Sequence, residues 1–142
     1  MILKNKTIYL VEDDPINFAV TRTILRAQGA NVILDHWGDT TLRRIQNYPQ
    51  AVDLFILDLM LPGETSGYDV FDAIREFPQF NDVPVVIVSA SDPDIEIPVA
   101  QGKGLNGFIS KPISRHKFPS QILSIMDGAN IWGGEAKGLV PS

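Results

Sequence analysis

The sequence contains no cysteine among its 142 residues. Disulfide bonds, thiolate metal sites and cysteine nucleophiles are therefore excluded. It also has no apolar run near the roughly 20 residues that a membrane-spanning helix requires. The first apolar stretch, Ile8 to Val11, ends at once in three acidic residues, which is not the pattern of a signal peptide. We therefore predict a cytoplasmic protein with no membrane partner.

Positive charge is also scarce, since 12 Lys and Arg residues face 17 Asp and Glu residues, for a formal charge of −5. This acidic balance lacks the basic surface that attracts nucleic acid, so direct nucleic-acid binding is not expected. The length suits one domain with its own core. We assign residues 1–128 to that domain and residues 129–142 to a C-terminal tail, which is either packed on the body or flexible.

Short apolar runs alternate five times with helical patterns along the chain. This alternation predicts an α/β fold, a doubly wound five-stranded parallel sheet with helices on both faces. In such sheets the functional crevice lies beyond the carboxyl ends of the strands. The predicted strands are Ile8–Val11, Val32–Leu34, Leu54–Leu57, Val85–Val88 and Phe108–Ile109.

Helix signals follow the strands. Asp14 is placed to cap the first helix and Asp39 the second. Prolines and glycines in residues 92–104 predict a short or distorted fourth helix that starts near Pro98. The apolar positions expected to share a helix face are Ile16, Ala19, Val20, Thr23, Ile24 and Ala27 in the first helix, Leu42 and Ile45 in the second, Tyr68, Phe71 and Ile74 in the third, and Phe118, Ile122 and Ile125 in the last.

Polar residues appear where the apolar strands end. Because these ends meet at one edge of a parallel sheet, we expect the side chains to gather in the crevice. Carboxylates about 4 Å apart repel by about 4 kcal/mol per pair at an effective dielectric constant near 20, so positive charge is needed nearby. A lysine and a hard divalent cation such as Mg²⁺ would supply it. The residues are Glu12, Asp13 and Asp14, then Asp58, Ser89 and Lys111.

Four motifs at these strand ends carry a family resemblance. They are Leu10–Asp14 (LVEDD), Ile56–Pro62 (ILDLMLP), Val88–Ala90 (VSA) and Phe108–Pro112 (FISKP). Together they resemble the receiver domain of bacterial two-component response regulators, of the single-domain type found in chemotaxis regulators. The resemblance spans roughly residues 6–126 and implies a flavodoxin-like sheet with strand order 2-1-3-4-5. It also implies a response regulator that works in phosphorelay signal transduction.

The resemblance implies a phosphoacceptor and a metal site. Asp58 matches the aspartate that accepts the phosphoryl group. Glu12 and Asp13 match the acidic pair that holds Mg²⁺ (or Mn²⁺), and Asp58 and the backbone carbonyl of Met60 complete the set of protein ligands. A carboxylate is able to act as a nucleophile and form an aspartyl phosphate.

The resemblance also implies residues that assist transfer and report it. Ser89 matches the hydroxyl that bonds the phosphoryl group, and Lys111 matches the lysine that pairs with it. Phe108 matches the aromatic residue that changes rotamer on activation, and Ser89 is its partner in that switch. The added phosphoryl charge would bias a bistable element toward its active shape.

The resemblance further implies the partners. A sensor histidine kinase or a phosphotransfer protein would supply the phosphoryl group, and an unknown output protein would receive the signal, since no effector domain follows in this sequence. The resemblance also implies that a second copy of the chain is a partner, in a homodimer formed through helix 4, strand 5 and helix 5. The chain is not expected to be an enzyme, apart from its part in its own phosphorylation and dephosphorylation.

Two other functions stay open at this stage. A receiver-like domain could bind partners without being phosphorylated, as a pseudo-receiver. A phosphatase related to the haloacid dehalogenases would also use an aspartyl phosphate, but Met60 stands where those enzymes carry a second aspartate. Some polar residues have simpler interpretations: Asp14 as a helix cap only, and His36 and His116 as unaccompanied surface residues.

Overall fold

The computed structural model describes residues 1–38 and 40–133. Within them all strands are parallel and form one sheet in the order β2-β1-β3-β4-β5-β6. The predicted α/β fold with order 2-1-3-4-5 is confirmed, and one further strand is added. The elements are β1 (Thr7–Val11), α1 (Pro15–Ala27), β2 (Asn31–Asp35), α2 (Thr41–Gln46), β3 (Leu54–Leu57), α3 (Gly67–Arg75), a 3₁₀ helix (Pro78–Phe80), β4 (Val85–Ser89), α4 (Pro93–Lys103), β5 (Gly107–Ser110), α5 (Phe118–Met126) and β6 (Ile131–Trp132).

The sheet is buried on both faces. Successive strand residues point to opposite faces, so Phe55 and Ile56 of β3 belong to two separate core clusters. One cluster joins the sheet to α2, α3 and α4, and the other joins it to α1 and α5. This double coverage explains why the central strands are continuous apolar runs rather than alternating ones. None of the helices in the described ranges has the length and apolar character needed to cross a bilayer.

Strand β6 comes from the segment that we assigned to the tail. Ile131 pairs with Gly107 and Trp132 with Phe108, and the N–H of Gly133 donates to the carbonyl of Phe108 at 2.7 Å. Ile131 is fully buried. The start of the tail is therefore packed on the body, along the outer edge of β5. Residues 134–142 lie outside the described residues, so their flexibility stays a prediction.

The buried stripe of α1 differs from the predicted one. Only Ile24 of the predicted face is buried, together with Thr21 and Leu25, whereas Ile16 is 75% exposed and Val20 is 42% exposed. The predicted stripe was wrong because α1 carries two overlapping apolar stripes. Packing of α1 against the sheet and α5 determines which of the two stripes is buried. The spacing of apolar residues within α1 carries no information about that packing. The cap at Asp14 is confirmed, since its side chain accepts from the N–H of Ile16 at 2.9 Å.

Helix α4 is longer than expected. It begins at Pro93 rather than near Pro98, and it runs for 11 residues with Pro98 inside it. The early start follows from Asp92, whose side chain accepts from the N–H of Asp94 at 2.9 Å and caps the first turn. Pro98 lacks the N–H that would bond the carbonyl of Asp94, and only Ala100 is buried. The cap predicted at Asp39 lies outside the described residues.

A buried polar network that the sequence did not reveal fixes α2 to the sheet. The carboxylate of Asp35 accepts from the hydroxyl of Tyr9 at 2.6 Å and from that of Thr41 at 3.0 Å. The guanidinium of Arg44 donates to the same carboxylate at 2.6 Å. Because every buried polar group in this set is paired, the network specifies the position of α2 without an unsatisfied charge.

Candidate functional site

The polar residues at the strand ends line one cleft at the carboxyl edge of the sheet, as predicted. The cleft has a volume of about 460 Å³. It lies between the loops that follow β1, β3, β4 and β5, because parallel strands bring these loops together. Its lining consists of Glu12, Asp13, Asp14, Asn17, Asp58, Met60, Ser89, Ala90, Ser91 and Lys111.

The acidic turn after β1 places its three carboxylates differently. Glu12 is buried, and its carboxylate accepts from the ammonium of Lys111 at 2.9 Å and from the N–H of Asp14 at 3.0 Å. Asp13 is exposed to the cleft. Asp14 also lines the cleft, but its carboxylate caps α1, where it accepts from the N–H of Ile16 and the side-chain amide of Asn17. The turn therefore offers the cleft one buried carboxylate and one accessible carboxylate that is not engaged in a cap.

Asp58 lies at the end of the fully apolar strand β3 and is only 8% exposed. Its carboxylate accepts from the N–H of Met60 at 3.3 Å and from the ammonium of Lys111 at 3.2 Å. Lys111 thus bridges the two buried carboxylates of Glu12 and Asp58. The three residues are far apart in the sequence. A charge at this depth is tolerated because it is paired.

Ser89 ends β4 and lines the same cleft, but it is not bonded to Asp58 or Lys111. Its hydroxyl donates to the hydroxyl of Ser91 at 3.1 Å and accepts from the N–H of Ser91 at 3.1 Å. Phe108 does not line the cleft and is fully buried in the core on the α2–α4 side of the sheet. The structure therefore brings Glu12, Asp58 and Lys111 into direct contact, with Ser89 beside them.

Burial and charge shape the acid–base properties of the cleft. Burial raises the pKa of Glu12, more than the hydrogen bonds from Lys111 and Asp14 lower it, and the charge of Asp58 raises it further. Burial also acts to lower the pKa of Lys111, but the hydrogen bonds and charges of Glu12 and Asp58 outweigh it, so that pKa is raised. Lys111 is therefore an ammonium ion at neutral pH.

The donor set of the cleft fits a small oxygen-seeking cation. Among the described residues, no three acidic or imidazole groups form a ready-made metal cage. Mg²⁺ does not need one, because it usually binds one or two carboxylates and keeps several waters. Glu12, Asp13 and Asp58 line the cleft with Lys111 as their one ammonium partner among its lining residues. Their excess negative charge favours a divalent ion there.

The loop from Asp58 to α3 depends on a glycine. A Cβ on Gly67 would lie 2.4 Å from the carbonyl oxygen of Asp58, which is too close for any side chain. We predict that Gly67→Ala lowers the free energy of unfolding by about 1–3 kcal/mol, measured by urea unfolding. Gly102→Ala in α4 is the matched control, since nothing lies within 4 Å of its Cβ position. It should stabilise the protein by up to about 1 kcal/mol, and equal effects of the two substitutions would contradict the prediction.

Residues 8–123 match the response regulator receiver domain. The chain belongs to this family. The receiver is 38% identical to the transcriptional regulatory protein CssR of Bacillus subtilis over 107 residues, which cover 75% of this chain and 44% of CssR. It is 33% identical to the transcriptional regulatory protein BaeR of Escherichia coli, over 84% of this chain and 47% of BaeR. The receiver thus spans about half the length of these relatives.

Solved structures agree with this assignment. A response regulator from Chloroflexus aurantiacus is 26% identical with a TM-score of 0.77, over 87% of this receiver and 99% of that chain. The receiver domain of the sensor histidine kinase PA1611 from Pseudomonas aeruginosa is 28% identical with a TM-score of 0.73, over 87% and 98% of the two chains. That structure has a magnesium ion coordinated in its active-site cleft.

Proposed function

We propose that this receiver accepts a phosphoryl group on Asp58 from a sensor histidine kinase or a phosphotransfer protein and signals to an output partner. The observation that supports this most directly is the contact of Lys111 with the buried carboxylates of Glu12 and Asp58, at 2.9 and 3.2 Å, beside an open cleft. A buried carboxylate held by an ammonium and reachable from solvent is suited to take up a more highly charged group.

The chemistry is a displacement at phosphorus. An oxygen of the Asp58 carboxylate forms a bond to phosphorus with its own electron pair, while the bond from phosphorus to the donor's imidazole nitrogen breaks and its pair stays on that nitrogen. Transfer of this kind needs alignment and charge stabilisation more than proton movement. Lys111, which contacts Asp58 in the resting structure, would stabilise the phosphoryl oxygens, and the hydroxyl of Ser89 would exchange its bond with Ser91 for one to the phosphoryl group.

The proposed metal site uses the acidic turn and the Asp58 loop. Glu12, Asp13 and Asp58 would hold Mg²⁺ (or Mn²⁺) together with the backbone carbonyl of Met60, a residue that lines the cleft and is 75% exposed. The bound cation would neutralise charge on the transferring group. Without this cation, Lys111 would be the single counter-ion of the three carboxylates, and their net negative charge would repel a phosphoryl group.

The proposed output passes through β5. Phe108 is fully buried in the core, and its change of rotamer with Ser89 stays a prediction. Helix α4 presents Ile95 and Val99, which are 64% and 42% exposed, as apolar contacts for an output protein. A homodimer through α4, β5 and α5 also stays a prediction, and β6 covers the outer edge of β5 at that face.

Labelling with a small phosphodonor tests the proposal. Incubated with acetyl phosphate and MgCl₂, the protein should gain the mass of one phosphoryl group, and peptide mapping should place it on Asp58. Chelation of the metal with EDTA should prevent the gain. A protein that binds Mg²⁺ but is not labelled would contradict the proposal and support the pseudo-receiver alternative, in which partners bind without phosphorylation.

A further inference from the structure

The carbonyl of Glu12 is bonded by a side chain at the point where the strand ladder stops. Pairing of β1 with β2 ends at Val11 and Asp35, and the N–H of Glu12 still donates to the carbonyl of Asp35 at 3.1 Å. In a continued parallel ladder, the N–H of Trp37 would bond the carbonyl of Glu12. Trp37 instead has a φ of 46°, which turns the chain out of the strand. The ring nitrogen Nδ1 of His36 lies 3.1 Å from that carbonyl and takes the missing place.

A stack of side chains holds the His36 ring in position. The ring lies on Phe18 of α1, with 4.9 Å between centroids and 12° between planes. The guanidinium of Arg22 lies over the Phe18 ring, 5.9 Å from its centroid. Phe18 belongs to the first turns of α1, which Asp14 caps. The stack therefore joins α1, which follows the acidic turn, to the loop after β2. The acidic turn is thus held by α1 on one side and by the loop that carries His36 on the other.

We propose that His36 is a positioning residue for the acidic pair, which rests on the proposed function of Glu12 and Asp13. The carbonyl of Glu12 and the N–H of Asp13 belong to one planar peptide group, so a bond that fixes the carbonyl also fixes the start of Asp13. A carbonyl oxygen only accepts, so Nδ1 of His36 carries the proton of this bond. His36 thus orients the exposed Asp13 carboxylate toward the cleft without touching the cleft itself.

This assignment corrects the interpretation of His36 from sequence. The residue is exposed, as expected, but it is not unaccompanied. His116 is the other histidine of the chain and is exposed on the loop before α5. It provides an internal reference for every measurement on His36.

Two variants separate the two contacts of the His36 ring. His36→Phe keeps a ring to stack on Phe18 but has no donor for the carbonyl of Glu12. His36→Asn has no ring but keeps an amide N–H₂ donor at a similar distance from the backbone. Mg²⁺ affinity is measured by following the backbone amide signals of Asp13 and Met60 in NMR titrations with MgCl₂. His116→Ala is the control and should leave the affinity unchanged.

We expect His36→Phe to weaken Mg²⁺ affinity about three- to tenfold, the effect of one lost hydrogen bond. His36→Asn should stay within about twofold of the wild type, despite losing the stack. If the ring only stabilised the fold, His36→Asn would lower the free energy of unfolding more than His36→Phe, and Mg²⁺ affinity would be equal in both. That result, or equal affinity of His36→Phe and the wild type, would overturn the proposal.

A spectroscopic measurement tests the hydrogen bond itself. Nitrogen chemical shifts of the neutral imidazole rings should show the proton of His36 on Nδ1, whereas no hydrogen-bond partner within residues 1–38 and 40–133 favours this form for His116. A proton on Nε2 of His36 would overturn the proposal. Failure of the proposed function has a different signature, in which the wild type shows no Mg²⁺ binding or no label on Asp58 while the His36 tautomer is still observed.

Discussion

Asp58→Asn is expected to abolish phosphoryl labelling with the fold unchanged. The asparagine has almost the same shape, and its side-chain oxygen can still accept from the N–H of Met60, which lies 3.3 Å from Oδ1 in the wild type. The amide lacks the ionised oxygen that forms the bond to phosphorus. Labelling with acetyl phosphate and MgCl₂ should therefore fall below detection by intact-protein mass spectrometry.

The same substitution has a second consequence at Glu12. The charge of Asp58 contributes to the raised pKa of Glu12, so Asp58→Asn should lower that pKa toward its ordinary value, which a carboxyl NMR titration measures. Asp82→Asn is the control, because Asp82 is exposed and lies outside the cleft lining. Labelling of Asp58→Asn at the level of the control would show that another residue is the acceptor.

Lys111→Ala is expected to have the second-largest effect. It should slow phosphoryl transfer but raise the affinity for Mg²⁺. Loss of the ammonium removes stabilisation of the charge on the transferring group, and labelling should slow by a factor on the order of 10²–10³. Mg²⁺ affinity should rise rather than fall, because the carboxylates of Glu12 and Asp58 lose their shared counter-ion. Rates of labelling and NMR titration with MgCl₂ measure the two effects separately.

Lys117→Ala is the matched control, since Lys117 lies on the same loop but is exposed and outside the cleft lining. Asp13→Asn offers the contrasting case, in which Mg²⁺ affinity and labelling should both fall. A Lys111→Ala variant that is labelled as fast as the control would mean that Lys111 only pairs with the carboxylates in the resting protein. Lower Mg²⁺ affinity in that variant would indicate that the lysine holds the acidic turn in shape.

The sequence predicted most accurately the features that depend on a few neighbouring residues, such as single strands and helix caps. Leu54–Leu57 was placed without error because a run of four apolar residues ending in an aspartate has few other interpretations in an alternating chain. The cap at Asp14 followed from side-chain chemistry alone. The buried stripe of α1 was wrong, since Ile16 and Val20 fit a helical period as well as Thr21 and Leu25 do. The helical spacing of apolar residues alone does not show which stripe of α1 packs against the sheet.

The candidate site shows the same division. The residue types at the strand ends followed from the sequence, because parallel strands direct their carboxyl ends to one edge. The bridge from Lys111 to Glu12 and Asp58 depends on distances that only the folded chain sets. The engagement of Ser89 with Ser91 and the complete burial of Phe108 also appeared only in the structure.

By itself, then, the sequence determined the alternation of strands and helices, their parallel arrangement and the polar residues that end each strand. These features arise from propensity and periodicity over a few neighbouring residues. The tertiary structure decided the docking of β6 on β5, the Asp35 network and the contact of His36 with Glu12. The pairing of β6 with β5, the bond from Tyr9 to Asp35 and the contact of His36 with Glu12 each join residues more than 20 positions apart along the chain. Such pairings depend on how the whole chain packs rather than on any local pattern.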